Sequence, residues 1–149
     1  MKKLIRWLFL ALIAGFILIQ FVPTERTNPP VVAEISAPDP VMEVLRTACY
    51  DCHSNETRWP WYSQVAPVSW RIAKHVRGGR YNLNFSEWGT MPEEDREGAR
   101  EEIWEEVERG SMPLSDYLRM HPEAVLTDSQ RAVLQRWAEG QAPEFPDWD

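Results

Sequence analysis

The chain has 149 residues, enough for one modest domain, and its 44% hydrophobic and 26% charged residues are those of a folded protein. Of its 16 basic residues, Lys2, Lys3 and Arg6 precede every other charge; the 13 that remain face 23 acidic residues, a balance unsuited to nucleic acid and suited to a protein partner with a basic docking face. Two cysteines three positions apart exclude a disulfide-stapled scaffold and point to local chemistry, while eight Trp point to a small core filled by large aromatic side chains.

Residues 7–22 read WLFLALIAGFILIQFV, broken only by Gln20. From Leu4 to Val22 a helix would rise roughly 28 Å, about one hydrocarbon core. A cleaved signal peptide has a shorter apolar region and a small-x-small site after it. Here the run ends in Phe21-Val22-Pro23, so residues 1–22 are expected to be an uncleaved transmembrane anchor. The basic residues before it keep the N-terminus inside and the domain outside. A signal cleaved at an atypical site is the alternative, and it exports the domain equally.

Residues 23–40 hold Pro23, Pro29, Pro30, Pro38 and Pro40 among polar residues, the pattern of an extended linker that keeps a domain off the membrane. The folded domain is expected over 41–140, followed by a C-terminal tail over 141–149. Asp39 is placed to cap a first helix with Pro40 at its first position and Val41, Val44, Leu45 and Ala48 as its apolar stripe. A second starts at Pro67, buries Val68, Ile72 and Val76, and stops at Gly78-Gly79. Thr90 and Glu93 form a capping box for a third, which carries Ala99, Ile103, Trp104 and Val107 inward and ends at Gly110. Thr127 and Gln130 form another for a fourth, which buries Val133, Leu134 and Trp137 and ends at Gly140. Alternating strand patterns are absent, so the fold class is all-α.

Cys49-Tyr50-Asp51-Cys52-His53 is the C-x-x-C-H pattern of covalent haem attachment. Two thiols on one turn of backbone each reach a vinyl group, and the next residue, His53, comes to lie under the iron as axial ligand. Three other readings compete. A thioredoxin-like redox dithiol expects a βαβ context, a zinc site expects two further ligands, and an incidental local disulfide expects nothing more. The export segment favours haem c, one per chain.

For the second axial position Met112, in Gly110-Ser111-Met112-Pro113-Leu114 between the third and fourth helices, is the leading candidate, because its proline stiffens the loop that presents sulfur. Met91 belongs to a helix start and Met120 to packing. His75, at the edge of its helix's apolar stripe, is the rival, and His121 is placed to cap or to bond a propionate. Trp59, Trp61, Tyr62 and Trp70 follow the motif closely, and Trp59 and Trp70 are taken as cofactor-binding walls that exclude water. Ordinary core packing explains them as well. Arg58, Arg71 and Arg80 are either propionate partners or solvated surface. The nine acidic residues from Glu93 to Glu108 are the wet face of the third helix.

These strings resemble the bacterial haem-binding domain family with a single C-x-x-C-H. The resemblance is carried by Cys49 to Asn55, Trp59-Pro60-Trp61-Tyr62, Ala66-Pro67-Val68-Ser69-Trp70, Asn84-Phe85-Ser86-Glu87-Trp88, Met112-Pro113-Leu114, Tyr117 and His121-Pro122-Glu123-Ala124. It covers about residues 41–140 and implies a small cytochrome c-like module. The family's Met-Pro element falls on Met112. The function expected is electron transfer by a mono-haem protein, not an enzyme, with iron between His53 and Met112. It is expected on the bacterial inner membrane, single-pass, facing the periplasm, and handing electrons to a redox protein. A haem-based gas or redox sensor with an open distal site is the alternative. A peroxidase-like enzyme lacks an evident distal acid-base pair.

Overall fold

The computed structural model describes residues 1–141, so all but Gln141 of the expected tail lies outside the described residues. Among the described residues every regular element is helical, as the sequence pattern predicts.

Helix α1 (Lys2–Ile19) buries none of its side chains, and Leu8, Phe9, Leu12, Phe16 and Leu18 all stand exposed. It is shorter than the anchor expected to Val22. Gln20, Phe21 and Val22 each donate backbone N–H to the carbonyl three residues back, and this tightening ends the helix. The Gln20 side chain turns to the domain, where Oε1 accepts from Ala66 N at 2.9 Å and Nε2 donates to Ala66 O at 3.2 Å. Lys2, Lys3 and Arg6 occupy its first turns. The uncharged remainder rises roughly 20 Å, against about 30 Å of hydrocarbon. Among the described residues no helix is long and apolar enough to cross a membrane.

The proline-rich segment is extended, but it is not a free tether. Arg26 donates to Ser63 O, Asn28 to Thr57 O, and Pro30 O accepts from Asn55 Nδ2. Val32 and Ala33 both donate to Ser86 O at 3.0 Å, Ile35 donates to Phe85 O at 2.8 Å, and Ala33 O accepts from Gly89 N at 2.9 Å. Ile35 is buried in the core. Proline leaves backbone carbonyls and the intervening N–H groups available, and the domain takes them up.

Helix α2 (Asp39–Ala48) starts one residue earlier than a cap at Asp39 would require, with Pro38 as N-cap, and buries Val41, Val44, Leu45 and Ala48 as expected. Cys49 breaks the helix at φ −122°, and the motif forms its own turn, α3 (Tyr50–His53). A 3-10 turn at Trp61–Gln64 leads to α4 (Val68–Asn82), which runs through Gly78-Gly79 rather than stopping there. The reason is packing. A Cβ on Gly79 would lie 2.5 Å from the Cys52 carbonyl oxygen, whereas one on Gly78 would meet nothing within 4 Å. The second glycine lets α4 lie against the motif; it is not a helix end.

A 3-10 turn at Trp88–Thr90 precedes α5 (Glu93–Glu108). Thr90 does not cap that helix, because its hydroxyl donates to Glu87 O within the turn and Pro92 is the N-cap. Then follow α6 (Ser115–Leu118) and α7 (Asp128–Ala138). The capping box of Thr127 and Gln130 is complete, and Gly110 and Gly140 follow their helices at φ 71° and 69°. Ala66-Pro67 and Met112-Pro113 are cis peptide bonds. α2, α5 and α7 enclose a core of Val41, Val44, Leu45, Val107, Val133, Leu134 and Trp137, extended by Tyr50, Phe85 and Trp88.

Replacing Gly79 by Ala is expected to lower the unfolding free energy by about 1–3 kcal/mol through overpacking. Gly78→Ala should raise it by about 0.5–1 kcal/mol. Urea unfolding of the pair checks this, and equal responses would show that close approach to Cys52 is not what Gly79 provides.

Candidate functional site

The α3 turn is closed by backbone donation from Cys52 and His53 to Cys49 O, at 3.1 and 2.9 Å. It therefore carries both thiols and the imidazole on one rigid turn. Cys49 and Cys52 are unbridged and partly exposed. His53 is held twice by the chain after α4. Its carbonyl accepts from Phe85 N at 2.7 Å, and its Nδ1 lies 3.1 Å from Leu83 O. A carbonyl cannot donate, so Nδ1 carries the proton and Nε2 keeps its lone pair. Burial holds the imidazole pKa below its ordinary value, against the pull of the Leu83 and Gly79 carbonyls. The ring is thus neutral at neutral pH, the form that ligates a metal.

Buried polar residues fix the turn to residues 84–86. Ser86 Oγ accepts from Asn55 N, Asn84 Nδ2 donates to Asn55 Oδ1, and Ser54 Oγ donates to Tyr50 O.

Asp51, an unspecified position of the motif, is the residue sequence reasoning missed. It is buried, and its carboxylate accepts from Arg58 N, Nε and Nη2 and from Tyr117 Oη at 2.8 Å. These bonds hold its carboxyl below the ordinary range although burial opposes them. The Arg58 side chain is 68% exposed, so that ion pair is worth little, and the tyrosine bond is the structural one. Tyr117 stacks on His121 with centroids 4.2 Å apart. The loop after Met112 is thereby fastened to the motif. Met112 itself packs, partly buried, on the core cluster that Cys49, Leu83 and Met91 also touch.

Several of the other candidates are already engaged with protein partners. His121 meets Tyr62 Oη through Nε2 and Glu123 through Nδ1, so neither ring nitrogen is left for a propionate. His75 is partly buried on α4, its pKa lowered by burial and by Arg71 and Lys74. Trp59 donates Nε1 to Asn28 Oδ1 and lines a cavity of about 230 Å³ between the proline-rich segment and α4. Trp70 is 37% and Trp61 77% exposed. Arg58 holds Asp51, Arg71 pairs with Asp116, and Arg80 bonds Ser54 O, Thr27 O, Asn28 and Thr57. All three arginines have protein partners.

Two alternative chemistries fit poorly. Burial, aided by the neighbouring thiol, pushes Cys49 up to about 12; burial, aided by Asp51, pushes Cys52 up to about 11. A redox dithiol needs the reverse. Among the described residues no three His, Cys, Asp or Glu side chains gather as a metal ion would require.

The family model for the haem-binding domain matches residues 14–140. The chain belongs to that family. No curated protein and no solved structure matches it. The haem-binding domain thus includes the last turns of α1 and the whole proline-rich segment, in keeping with their bonds to Ala66, Asn55 and Ser86. The donor set suits haem: an imidazole with one free nitrogen beside two unbridged thiols, on a turn that Gly79 allows α4 to support.

In the haem-free protein, alkylation of the two thiols at pH 8 should run about 100-fold slower than for an ordinary cysteine of pKa about 8.5. Raised thiol values mean that the neutral, buried form stabilises the fold below the ordinary thiol pKa. That contribution is lost as pH climbs through 11 and 12. The rate should therefore rise steeply over that range, and timed labelling followed by mass spectrometry reads it. Tyr117→Phe should cost about 1.5–3 kcal/mol of stability, the worth of one hydrogen bond to a charged acceptor, measured by thermal unfolding.

Proposed function

We propose that the domain carries one haem c, bonded through Cys49 and Cys52, with His53 and Met112 as axial ligands. In this proposal it is a cytochrome c-like, membrane-held electron carrier and not an enzyme. The observation that carries the proposal is the tie from His53 Nδ1 to Leu83 O, which leaves Nε2 available beside two unbridged thiols. The haem iron supplies the one-electron couple. The chain's own residues fix what surrounds it. Leu83 O sets the imidazole's tautomer and raises its basicity. The Asp51–Tyr117 bond holds the loop that offers the Met112 thioether, a neutral ligand that raises the potential. Fixed ligands keep reorganisation on electron transfer small.

Attachment to the bacterial inner membrane, with the domain in the periplasm, is supported by the apolar α1, none of whose side chains is buried. Lys2, Lys3 and Arg6 lie at its far end, where long basic side chains reach headgroups and offset a short apolar stretch. The acidic α5 suits a redox partner with a basic face.

The absorption spectrum in alkaline pyridine tests attachment. Haem that resists acid-acetone extraction from the wild type, and is extracted from Cys49→Ser/Cys52→Ser, is expected. A colourless protein from cells in which a control cytochrome matures would refute the proposal. Ferrous wild type is expected to resist carbon monoxide and Met112→Ala to bind it readily. An unchanged spectrum in that variant would move the second ligand to His75, and ready binding by the wild type would make the domain a gas sensor.

A further inference from the structure

Two aromatic side chains near the motif stand outside the core. Trp61 is 77% exposed and Trp70 37%. They belong to the segment that meets the end of α1. Gln20 grips Ala66 through both its amide oxygen and nitrogen, and Arg26 donates to Ser63 O at 3.1 Å. Phe21 and Val22, at the end of α1, are exposed and line a small cavity together with Gln64, Ala66 and Ser69.

The charge on this part of the molecule is also distinctive. α4 carries Arg71, Lys74, Arg77 and Arg80 and no carboxylate, whereas α5 carries nine acidic residues. Arg80 is spent on the proline-rich segment and Arg71 pairs with Asp116. Lys74 and Arg77 are exposed. With Trp70 they recur at helical spacing, one above the other on a single face of α4.

We infer that the face of α4 formed by Trp70, Lys74 and Arg77 is a lipid-headgroup docking surface, which lays the domain on an anionic bilayer at the point where α1 leaves it. The inference rests on α1 being held in that bilayer. Indole rings favour the headgroup layer, where their apolar body and polar edge are both satisfied. Exposed Lys and Arg near a membrane surface are drawn to anionic lipid, and acidic α5 is repelled by it. A single flexible tether would leave the domain free to tumble. The reciprocal Gln20–Ala66 bonds make α1 and this face one unit, so the same helix that enters lipid presents the aromatic and basic side chains to its surface.

The test uses the full haem-loaded chain, in which Cys49 and Cys52 are taken up by haem and an introduced cysteine alone is labelled. An environment-sensitive fluorophore is placed by Tyr81→Cys on the proposed face, where Tyr81 is exposed one turn beyond Arg77, by Glu101→Cys on α5, or by Ala11→Cys within α1. Each is reconstituted in vesicles of phosphatidylcholine, with and without phosphatidylglycerol. The label at 81 is expected to shift to the blue and to be quenched by headgroup-proximal brominated lipid, more so with phosphatidylglycerol, while the label at 101 stays as in detergent. Lys74→Gln and Arg77→Gln should each weaken the docked state roughly fivefold, and added salt should do likewise. A label at 81 as exposed as that at 101, with the label at 11 still quenched by lipid, would overturn the docking surface and leave the anchor standing. A label at 11 that lipid does not reach would overturn both.

Discussion

The motif histidine is held at two points by one short piece of chain, and most of the domain is arranged so that this piece sits where it does. Leu83 O accepts from the ring Nδ1–H and Phe85 N donates to the backbone carbonyl. Residues 83–86 are themselves pinned from three sides. α4 delivers them, and can do so only because Gly79 presents no Cβ to Cys52. The proline-rich segment donates to Phe85 O and Ser86 O from the far side. Phe85 fills the core beneath, stacked on Tyr50 at 5.4 Å between ring centroids. A neutral imidazole with a fixed tautomer is the outcome of all three, since a ring free to turn would spend part of its time with the wrong nitrogen forward.

A second restraint reaches the motif from the other direction. Asp51 is nearly enclosed and would be costly without partners, because a buried carboxylate must have its oxygens satisfied. Arg58 and Tyr117 satisfy them, but the two are unequal. Arg58 is largely in water, where a charge pair is screened, whereas Tyr117 belongs to the loop that follows Met112. Tyr117 then stacks on His121, whose two ring nitrogens are occupied by Tyr62 and Glu123. The 112–124 stretch, with only one short helical turn and one 3-10 turn of its own, is in this way tied to both ends of the motif region.

The surface divides along the same lines. α5 gathers acidic residues on a solvated face, while α4 gathers basic residues and leads from the segment gripped by Gln20. The acidic total of the chain hides this separation, because electrostatic recognition depends on where charges lie and not only on their sum.

The sequence by itself determined the all-α class, the apolar faces of α2 and α7, the Thr127 capping box and the glycine ends after α5 and α7, because these depend on residues within one or two turns of each other. It also determined the motif, whose chemistry lies in five consecutive residues, and the haem-binding family that carries it. Only the tertiary structure decided what each remaining residue was for. Gly78-Gly79 has the local appearance of a helix end, yet one glycine exists for a contact with a turn 27 residues earlier in the chain. Asp51 occupies a position the motif leaves open, and its partner is 66 residues away. Trp59 and Trp70 follow the motif closely in sequence, but one faces the proline-rich segment and the other is partly exposed. Leu83 O gives no sequence signal at all, since every residue has a carbonyl and only folding brings this one to a histidine ring.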